Sequence, residues 1–423
     1  MKYFAFFVLL SFLIFKDASA QQRNVIDDEA NVPEYKLPDV LTRFNGGQVK
    51  SAKVWFNKQR PEILKKFTEE VYGKVPGKLE MLDVKVWETS NDAISGLAIR
   101  KQLSLFFKKG DRTLEVNVLI YLPKSRQKAP VFLAYNFSGN HTINSDPNIR
   151  LTESWVYDNP SVGIINNRVT EQSRGSDSDS WQVETIIKAG YGLVTVYYGD
   201  VDPDKNDFSD GIEPFFYQEN QTRPKYDEWG SIAAWSWGLS RVMDYLEKDE
   251  QVDSKKVAVL GHSRLGKTAL WAGATDQRFA MVISNESGCG GAALSKRIFG
   301  ETVQVINTSF PHWFCGNFLK YNNNEAELPV DQHMLLALIA PRPLYVASAE
   351  GDKWADPRGE FLSAKYASVV YELLGFEGLP TKEMPEVYHP VMGTIGYHIR
   401  SGKHDLTLYD WQQYIRFADK FFK

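Results

Sequence analysis

The hydrophobic pattern of the chain alternates between short apolar runs and longer amphipathic segments. Apolar runs typical of buried strands lie at residues 129–136, 193–198, 257–260, 279–283 and 342–348. Helical spacing of apolar residues occurs at 52–72, 181–189, 231–248, 364–374 and 408–422. Residues 79–99 and 102–122 alternate as antiparallel strands do. Strands that alternate with helices predict an α/β fold, in which a mostly parallel sheet lies between two helical layers.

Polar segments connect these predicted elements. Residues 21–45 are polar with scattered prolines and predict an extended lead that wraps the surface. Residues 144–180 form a long insertion with little periodicity, which is typical of functional or mobile loops. The acidic stretch 199–204 has only a loose likeness to a calcium loop, and we interpret it as a solvated turn. We expect one domain over 21–423 with a lead and long insertions.

The first twenty residues have the pattern of a secretory signal peptide. Lys2 supplies the positive charge, and the apolar run 3–15 is too short to span a bilayer. Ala18-Ser19-Ala20 matches the small-residue cleavage pattern. We therefore expect cleavage after Ala20, a secreted or periplasmic protein and no membrane partner.

Composition narrows the range of functions. A net charge of −4 over 423 residues gives no reason to expect a nucleic-acid partner. Two cysteines are too few for a disulfide scaffold or a cysteine-rich zinc site, and no cofactor or metal is expected. In an oxidising compartment Cys289 and Cys315 would pair or remain as two buried thiols, and the sequence leaves both possibilities open.

Residues 257–271, VAVLGHSRLGKTALW, predict a strand, a sharp turn and a helix. This is the pattern of a nucleophile elbow, which presents a serine hydroxyl above the end of a sheet, and Ser263 is the candidate nucleophile. Leu265 occupies the usual second glycine position, and Gly266 follows it. This departure disfavours a general lipase. A structural turn with an incidental serine is the alternative.

A serine nucleophile needs a base and a group that orients the base. His404 lies in a loop before the last predicted helix, where the α/β-hydrolase chain order places the histidine. His141, His389 and His398 are less favoured alternatives. Two carboxylates follow predicted strands and compete as the acid, Glu286 and Asp352, although either is ordinary at a strand end.

The form G-x-S-R-x-G-K resembles the nucleophile motif of glucuronoyl esterases, carbohydrate esterase family 15. Four blocks match the family pattern, at 261–267, 285–291, 351–357 and 401–405. The resemblance implies an α/β-hydrolase fold, a three-layer αβα sandwich. Fungal members carry cysteines where this chain has His262 and Asp405, so the chain resembles the bacterial branch.

The resemblance also implies roles for individual residues. Glu286 and Asp352 both match acid positions, and Glu286 is slightly favoured. Arg264 is expected to stabilise the oxyanion, with a structural ion pair as its alternative. Lys267, Glu301 and Trp354 are expected to hold the sugar.

The expected function is hydrolysis of esters that join (4-O-methyl-)glucuronic acid of glucuronoxylan to lignin alcohols by a Ser-His-acid mechanism. An acetyl xylan or feruloyl esterase on the same scaffold is one alternative, and a catalytically silent carbohydrate-binding protein is another. The expected partner is therefore glucuronoxylan or a lignin–carbohydrate ester, and the protein is expected to be a monomer.

Overall fold

A ten-stranded sheet runs through the computed structural model, which describes residues 25–77 and 79–423. The predicted signal peptide lies outside the described residues. The strands, in chain order, are β1 (Met81–Ala93), β2 (Ala98–Lys109), β3 (Arg112–Pro123), β4 (Ala129–Asn136), β5 (Gly192–Tyr197), β6 (Val252–His262), β7 (Met281–Asn285), β8 (Leu344–Ala349), β9 (Val391–Met392) and β10 (Ile395–Arg400).

The strands lie side by side in the order β1-β2-β3-β5-β4-β6-β7-β8-β10-β9. The first three strands and the β3–β5 pair are antiparallel, as expected for the alternating segments near the start of the chain. From β5 to β10 the neighbouring strands are parallel. The prediction of a mostly parallel sheet is confirmed.

Helices cover both faces of the sheet. They are α1 (Ala52–Val54), α2 (Arg60–Phe67), α3 (Ser178–Trp181), α4 (Val183–Lys188), α5 (Ser231–Leu246), α6 (Arg264–Thr275), α7 (Val303–Ser309), α8 (Gln332–Ala337), α9 (Pro357–Leu373) and α10 (Leu408–Phe422), with π-helical turns at Trp55–Gln59 and Thr68–Tyr72. No helix in the described ranges is long and apolar enough to cross a bilayer.

Strand β4 shows how the sequence builds two cores. All eight of its residues are buried, and alternate side chains point to opposite faces. Leu133 packs with α5, α6, α8 and α9 on one face, whereas Phe132 packs with α4 and α10 on the other. The two apolar clusters confirm the three-layer α/β-hydrolase sandwich.

Two details of the fold differ from the sequence-based expectations, and the two cysteines adopt one of the two states that the sequence left open. Helix α9 begins at Pro357, seven residues before the predicted start, because the Asp356 side chain accepts a hydrogen bond from the Gly359 N–H. Strand β10 was missed because its buried His398 and Arg400 made the pattern look polar. The two cysteines, Cys289 and Cys315, are both buried and free.

The interpretation of residues 199–204 as a solvated turn was wrong. Asp200, Asp202 and Asp204 are 5%, 2% and 0% exposed. Asp200 and Asp204 accept hydrogen bonds that partly compensate their loss of hydration. Asp200, for example, accepts hydrogen bonds from the Asn117 N–H at 3.0 Å and the Ser154 hydroxyl at 2.6 Å.

Candidate active site

Ser263 lies in the one-residue turn between β6 and α6. Its backbone has φ 58° and ψ −130°, a conformation that residues other than glycine rarely adopt. The Ser263 N–H donates to the Asn285 carbonyl at 2.9 Å. A Cβ on Gly261 would lie 1.8 Å from the Leu265 carbonyl oxygen, so only glycine allows this close turn. These contacts give the elbow that the sequence predicts.

His404 lies against the elbow. Its ring is 4.4 Å from the ring of His262, the residue that precedes Ser263. The His404 Nδ1–H donates to Asp352 Oδ2 at 2.6 Å, and Glu286 Oε2 lies 3.3 Å from the same nitrogen. The side chain is 42% exposed, so an imidazole held at Nδ1 still reaches the cleft.

The two carboxylates have different surroundings. Glu286 Oε1 accepts a hydrogen bond from Arg400, and Oε2 accepts one from the Asp405 N–H at 3.0 Å. Asp352 has the shorter contact with His404, and its other oxygen accepts only a long bond of 3.4 Å from the Ala355 N–H. The sequence slightly favoured Glu286 as the acid, but the shorter contact favours Asp352.

The charges of this cluster shift its protonation equilibria. Burial lowers the pKa of His404, but hydrogen bonds to Asp352 and Glu286 outweigh burial and raise the pKa to about 9. Burial raises the pKa of Glu286 to about 7, although His404 and Arg400 oppose that rise. For Asp352, burial is outweighed by the His404 contact, which holds its pKa below the usual value.

Glu286, Asp352 and His404 also form a potential metal-binding group. Their ligand atoms lie within 4.8 Å of one another, and no other His, Cys, Asp or Glu group in the described ranges meets this condition. The Nδ1–H of His404 is already bonded to Asp352, and both oxygens of Glu286 have donors. The contacts therefore favour a hydrogen-bonded triad.

Arg264, the first residue of α6, is held by a network of buried contacts. Its Nη1 binds the fully buried carboxylate of Asp204, which also accepts from His312 and Trp313 at 2.7 Å each. The guanidinium carbon lies 5.4 Å from the ring centre of Phe137. Arg264 thus forms an ion pair, which was the alternative interpretation of this residue. Its side chain is also 22% exposed, next to the candidate nucleophile Ser263.

Lys267, Glu301 and Trp354 come together next to the elbow. The Lys267 ammonium donates to the Ser287 carbonyl and lies 3.7 Å from Glu301 Oε2. The Glu301 N–H donates to the Trp354 carbonyl at 3.0 Å, which joins the two segments. Lys267 and Glu301 are buried, whereas Trp354 is 46% exposed. An ammonium, a carboxylate and an open indole ring are groups suited to a sugar acid.

The other six histidines have neighbours that account for them. His262 is half-buried and hydrogen-bonded to Asn285, and desolvation lowers its pKa to about 3. The remaining five bond elsewhere: His141 to Ser173, His312 to Asp204, His333 to the Pro38 carbonyl, His389 to the Val387 carbonyl and His398 to Asp410. His404 is the histidine that lies between the elbow and two carboxylates.

Sequence reasoning missed two residues of the site. Asp204 was assigned to a solvated turn, although it lies seven residues after the buried strand β5 and its carboxylate faces inward. Arg400 lies four residues before His404 and contacts Glu286. The polar end of the segment IGYHIR, immediately before the candidate base, was the signal that could have found Arg400.

Comparisons with known proteins agree with this geometry. A family model of fungal glucuronyl esterases matches residues 175–375. A prokaryotic carbohydrate esterase, MZ0003, is 54% identical over 407 residues, which cover 95% of this chain and 93% of the relative. A solved promiscuous CE15 esterase from a marine bacterial metagenome has a TM-score of 0.88 at 54% identity, covering 93% of this chain and 99% of its own. The chain belongs to carbohydrate esterase family 15.

Other members of family 15 agree in fold and extent. A glucuronoyl esterase from Solibacter usitatus has 50% identity and a TM-score of 0.88 over 93% of this chain and 100% of its own. The 4-O-methyl-glucuronoyl methylesterase of Schizophyllum commune is 29% identical over 85% of this chain and 78% of that protein. The family 15 membership makes this chain a carboxylic ester hydrolase.

Proposed function

We propose that this family 15 esterase hydrolyses esters between (4-O-methyl-)glucuronic acid of glucuronoxylan and lignin alcohols. The observation that carries the proposal is the start of α6, where Arg264 and Lys267 follow Ser263 at one and four residues. Residues four apart lie on one helical face, which places Lys267 on the same side of the helix as Ser263, and Arg264 directly follows Ser263 in the chain. The relatives named as glucuronoyl esterases support the same substrate class.

In the proposed reaction, His404 takes the proton of the Ser263 hydroxyl while its oxygen attacks the C6 ester carbonyl. Asp352 holds the imidazole through Nδ1 and stabilises the imidazolium that forms. His404 then gives the proton to the departing alcohol. Water, activated by the same histidine, releases the glucuronate and restores Ser263.

Arg264 is proposed to stabilise the charge that develops in this reaction. The tetrahedral intermediate carries an oxyanion, and a fixed guanidinium together with a backbone N–H at the start of α6 is a suitable donor set. The contacts with Asp204 and the rings of Phe137 and Trp313 limit the motion of the side chain. Groups that are preorganised in this way stabilise the transition state without further rearrangement.

Lys267, Glu301 and Trp354 are proposed to bind the sugar itself. Lys267 and Glu301 offer a donor and an acceptor for hydroxyl groups, and the exposed ring of Trp354 offers a stacking surface. An acetyl group has no hydroxyls or ring for these residues to hold. The proposal therefore disfavours acetyl xylan hydrolysis as the main activity, although the relative described as promiscuous makes simpler esters a second candidate.

The test is hydrolysis of benzyl glucuronate beside acetylated xylan and p-nitrophenyl acetate, with wild type and Ser263→Ala. We expect turnover that depends on Ser263 and favours the glucuronate ester. Arg264→Ala should lower kcat by about 10²–10³-fold, with a smaller change in KM, because the oxyanion forms only in the transition state.

Other outcomes would change the assignment in different ways. Preference for acetyl esters would move the substrate to the second candidate. Activity retained by Ser263→Ala would remove the whole mechanism. Absence of turnover by wild type would favour the carbohydrate-binding alternative. Secretion with cleavage after Ala20, a single domain over 21–423 and a monomeric state stay predictions.

A further inference from the structure

Arg400 is the last residue of β10 and precedes the loop that carries His404. It is 3% exposed. Its Nη1 donates to the carbonyls of Ser401 at 3.0 Å and Lys403 at 3.1 Å, and its Nη2 donates to the Asp405 carbonyl at 2.6 Å. Three carbonyls of one short loop therefore converge on one guanidinium.

The same guanidinium also binds two carboxylates. Its Nε–H donates to Asp410 Oδ2 of α10 at 2.9 Å. The other N–H of Nη2 donates to Glu286 Oε1. All five N–H groups of Arg400 thus have acceptors, which is the full donor capacity of an arginine. The fork joins the ends of β7 and β10 to the start of α10.

Arg400 supplies the donors for three carbonyls of this loop, whose Gly402 carbonyl also accepts from the Gly351 N–H at 2.9 Å and whose Ser401 hydroxyl bonds to Tyr388. Residues 401–405, SGKHD, form no helix or strand, and Gly402 has φ 98°. The side chain of His404 contributes bonds only at its Nδ1 edge. The bonds to the Lys403 and Asp405 carbonyls are partly buried. Removal of the guanidinium would leave these two carbonyls to find other donors and would move the loop.

We infer that Arg400 is a positioning residue that fixes the His404 loop and ties Glu286 in place, which leaves Asp352 as the direct partner of the catalytic imidazole. The inference rests on the proposed role of His404. Glu286 is held by Arg400 at one oxygen and by the Asp405 N–H at the other, so it has no freedom to turn further toward Nδ1. Asp352 keeps the 2.6 Å contact.

Lysine would not replace this arrangement. An ammonium has the same charge but only three N–H donors, all on one atom. It therefore cannot bond to all five acceptors, and it lacks the planar shape of the guanidinium. Catalytic groups tolerate displacements of only about 0.5 Å. Arg400→Lys therefore keeps the positive charge and removes the planar hydrogen-bonding group, which separates the positioning role of Arg400 from its electrostatic effect.

Several other charged and titratable groups face this centre, and each bears on its pH dependence. They are Asp352 after β8, His262 at the end of β6, Glu360 of α9, Asp410 and Tyr414 of α10, and Asp405 of the loop. Arg400→Lys leaves all of them in place. A change in the pH profile of that variant would therefore report the position of His404.

The chain offers a matched control at the other end of the sheet. Arg342 precedes β8 and donates to the carbonyls of Gly273, Asp276, Phe279 and Ile339. Because β8 and β10 are parallel, the starting end of β8 is opposite to the end where Arg400 lies. Arg342→Lys should therefore cause a similar loss of backbone hydrogen bonds without reaching the site.

The experiment compares Arg400→Lys with Arg342→Lys on benzyl glucuronate, with circular dichroism and thermal melting as checks on folding. We expect Arg400→Lys to lower kcat by about 10²-fold, the typical effect of a displacement near 1 Å, with KM changed less than about twofold. The acid limb of its kcat/KM profile should move to lower pH, because a displaced His404 loses the hydrogen bonds that hold its proton. Arg342→Lys should keep both wild-type values.

Three outcomes would overturn the inference. They are an unchanged kcat in Arg400→Lys, an unmoved acid limb, or a loss of kcat that Arg342→Lys shares at equal stability. If Arg400→Lys does not fold, Asp410→Asn carries the test, because it weakens the Nε contact and should give the same two changes to a smaller extent. A Ser263→Ala variant that retains activity would instead reject the proposed function.

Discussion

At the scale of single residues, two site side chains lie on backbone that L-residues rarely adopt. Ser263 has φ 58° and Glu286 has φ 47°, and each follows a parallel strand of the sheet directly. Such conformations cost about 1–3 kcal/mol each and persist where the surrounding structure fixes them. Here they turn both side chains out of the strand direction and toward the cleft above the sheet.

The charge of the His404 pair predicts an alkaline pH profile. His404 can act as a base only when its imidazole is neutral. Its pKa is raised to about 9, so the imidazole remains protonated to a higher pH than a free imidazole does. The kcat/KM for benzyl glucuronate should therefore rise with pH up to about 9. The measurement is a pH–rate profile corrected for the spontaneous hydrolysis of the ester.

Asp352→Asn is the matched variant for this profile. We expect its acid limb to move to lower pH and its kcat to fall by about 10²–10⁴-fold, the range that a positioned base contributes. Glu286, 3.3 Å from Nδ1, should keep the loss near the lower value. A wild-type limb close to 6.5, or an Asp352→Asn profile equal to wild type, would contradict the pairing.

At the scale of elements, the elbow depends on close contact between β6 and α6. A methyl group at Gly261 would meet the Leu265 carbonyl at 1.8 Å, and one at Gly266 would meet Ser287 Cβ at 2.9 Å. Neither obstacle is the far end of a flexible side chain. The order strand, turn and helix therefore requires these two glycines for steric reasons.

Gly261→Ala should consequently destabilise the protein by more than overpacking usually does, which is about 1–3 kcal/mol. Urea unfolding followed by tryptophan fluorescence would measure the change. Gly77→Ala is the control, because its Cβ would meet the Phe216 ring at 3.4 Å, an ordinary contact. Equal free energies of unfolding for the two variants would contradict the tight turn.

The sequence predicted this element well because its signal is local. A run of apolar residues, a glycine and a helical segment adjoin along the chain, and Ser263 lies between them. The sheet core was predictable for the same reason. Strand β10 was not, because it contains the polar residues His398 and Arg400, whose burial depends on contacts with Asp410 of the next helix, α10.

The site was predictable in its residues but not in its connections. Ser263, His404 and the two acids follow from chain order and from motifs. The support of Arg264 by Asp204 crosses sixty positions and involves a carboxylate that is ordinarily exposed, so no local pattern indicates it. The choice between Glu286 and Asp352 depends on where Arg400 lies, which is a tertiary property.

At the scale of the whole molecule, the N-terminal lead is bonded to the segments that carry the proposed sugar-binding residues. The Ile26 carbonyl accepts from the Gly300 N–H at 2.8 Å, and the Asp27 carbonyl accepts from Lys353 at 2.9 Å. Glu29 pairs with the buried Arg297 at 2.7 Å. Gly300 and Lys353 are the neighbours of Glu301 and Trp354.

Removal of the lead up to residue 31 should raise KM for benzyl glucuronate by up to about tenfold, which corresponds to about 1.4 kcal/mol. The kcat should change little, because neither Ser263 nor His404 forms a hydrogen bond or ion pair with the described part of this segment, residues 25–31. Steady-state kinetics would measure both values. Glu62→Gln is the control, since it breaks a different ion pair of the lead, the one with Arg43, which residues up to 31 do not contribute to. A lower kcat at unchanged KM would reject this role.

The position of β10 has a further consequence for biosynthesis. It lies between β8 and β9, and it delivers His404 beside residues that the ribosome made much earlier. Because such distant pairings form late in folding, the nascent chain has a nucleophile long before it has a base. A chain that stops before this strand would therefore be inert toward esters. Esterase activity would then be proportional to the number of chains synthesised through the His404 loop.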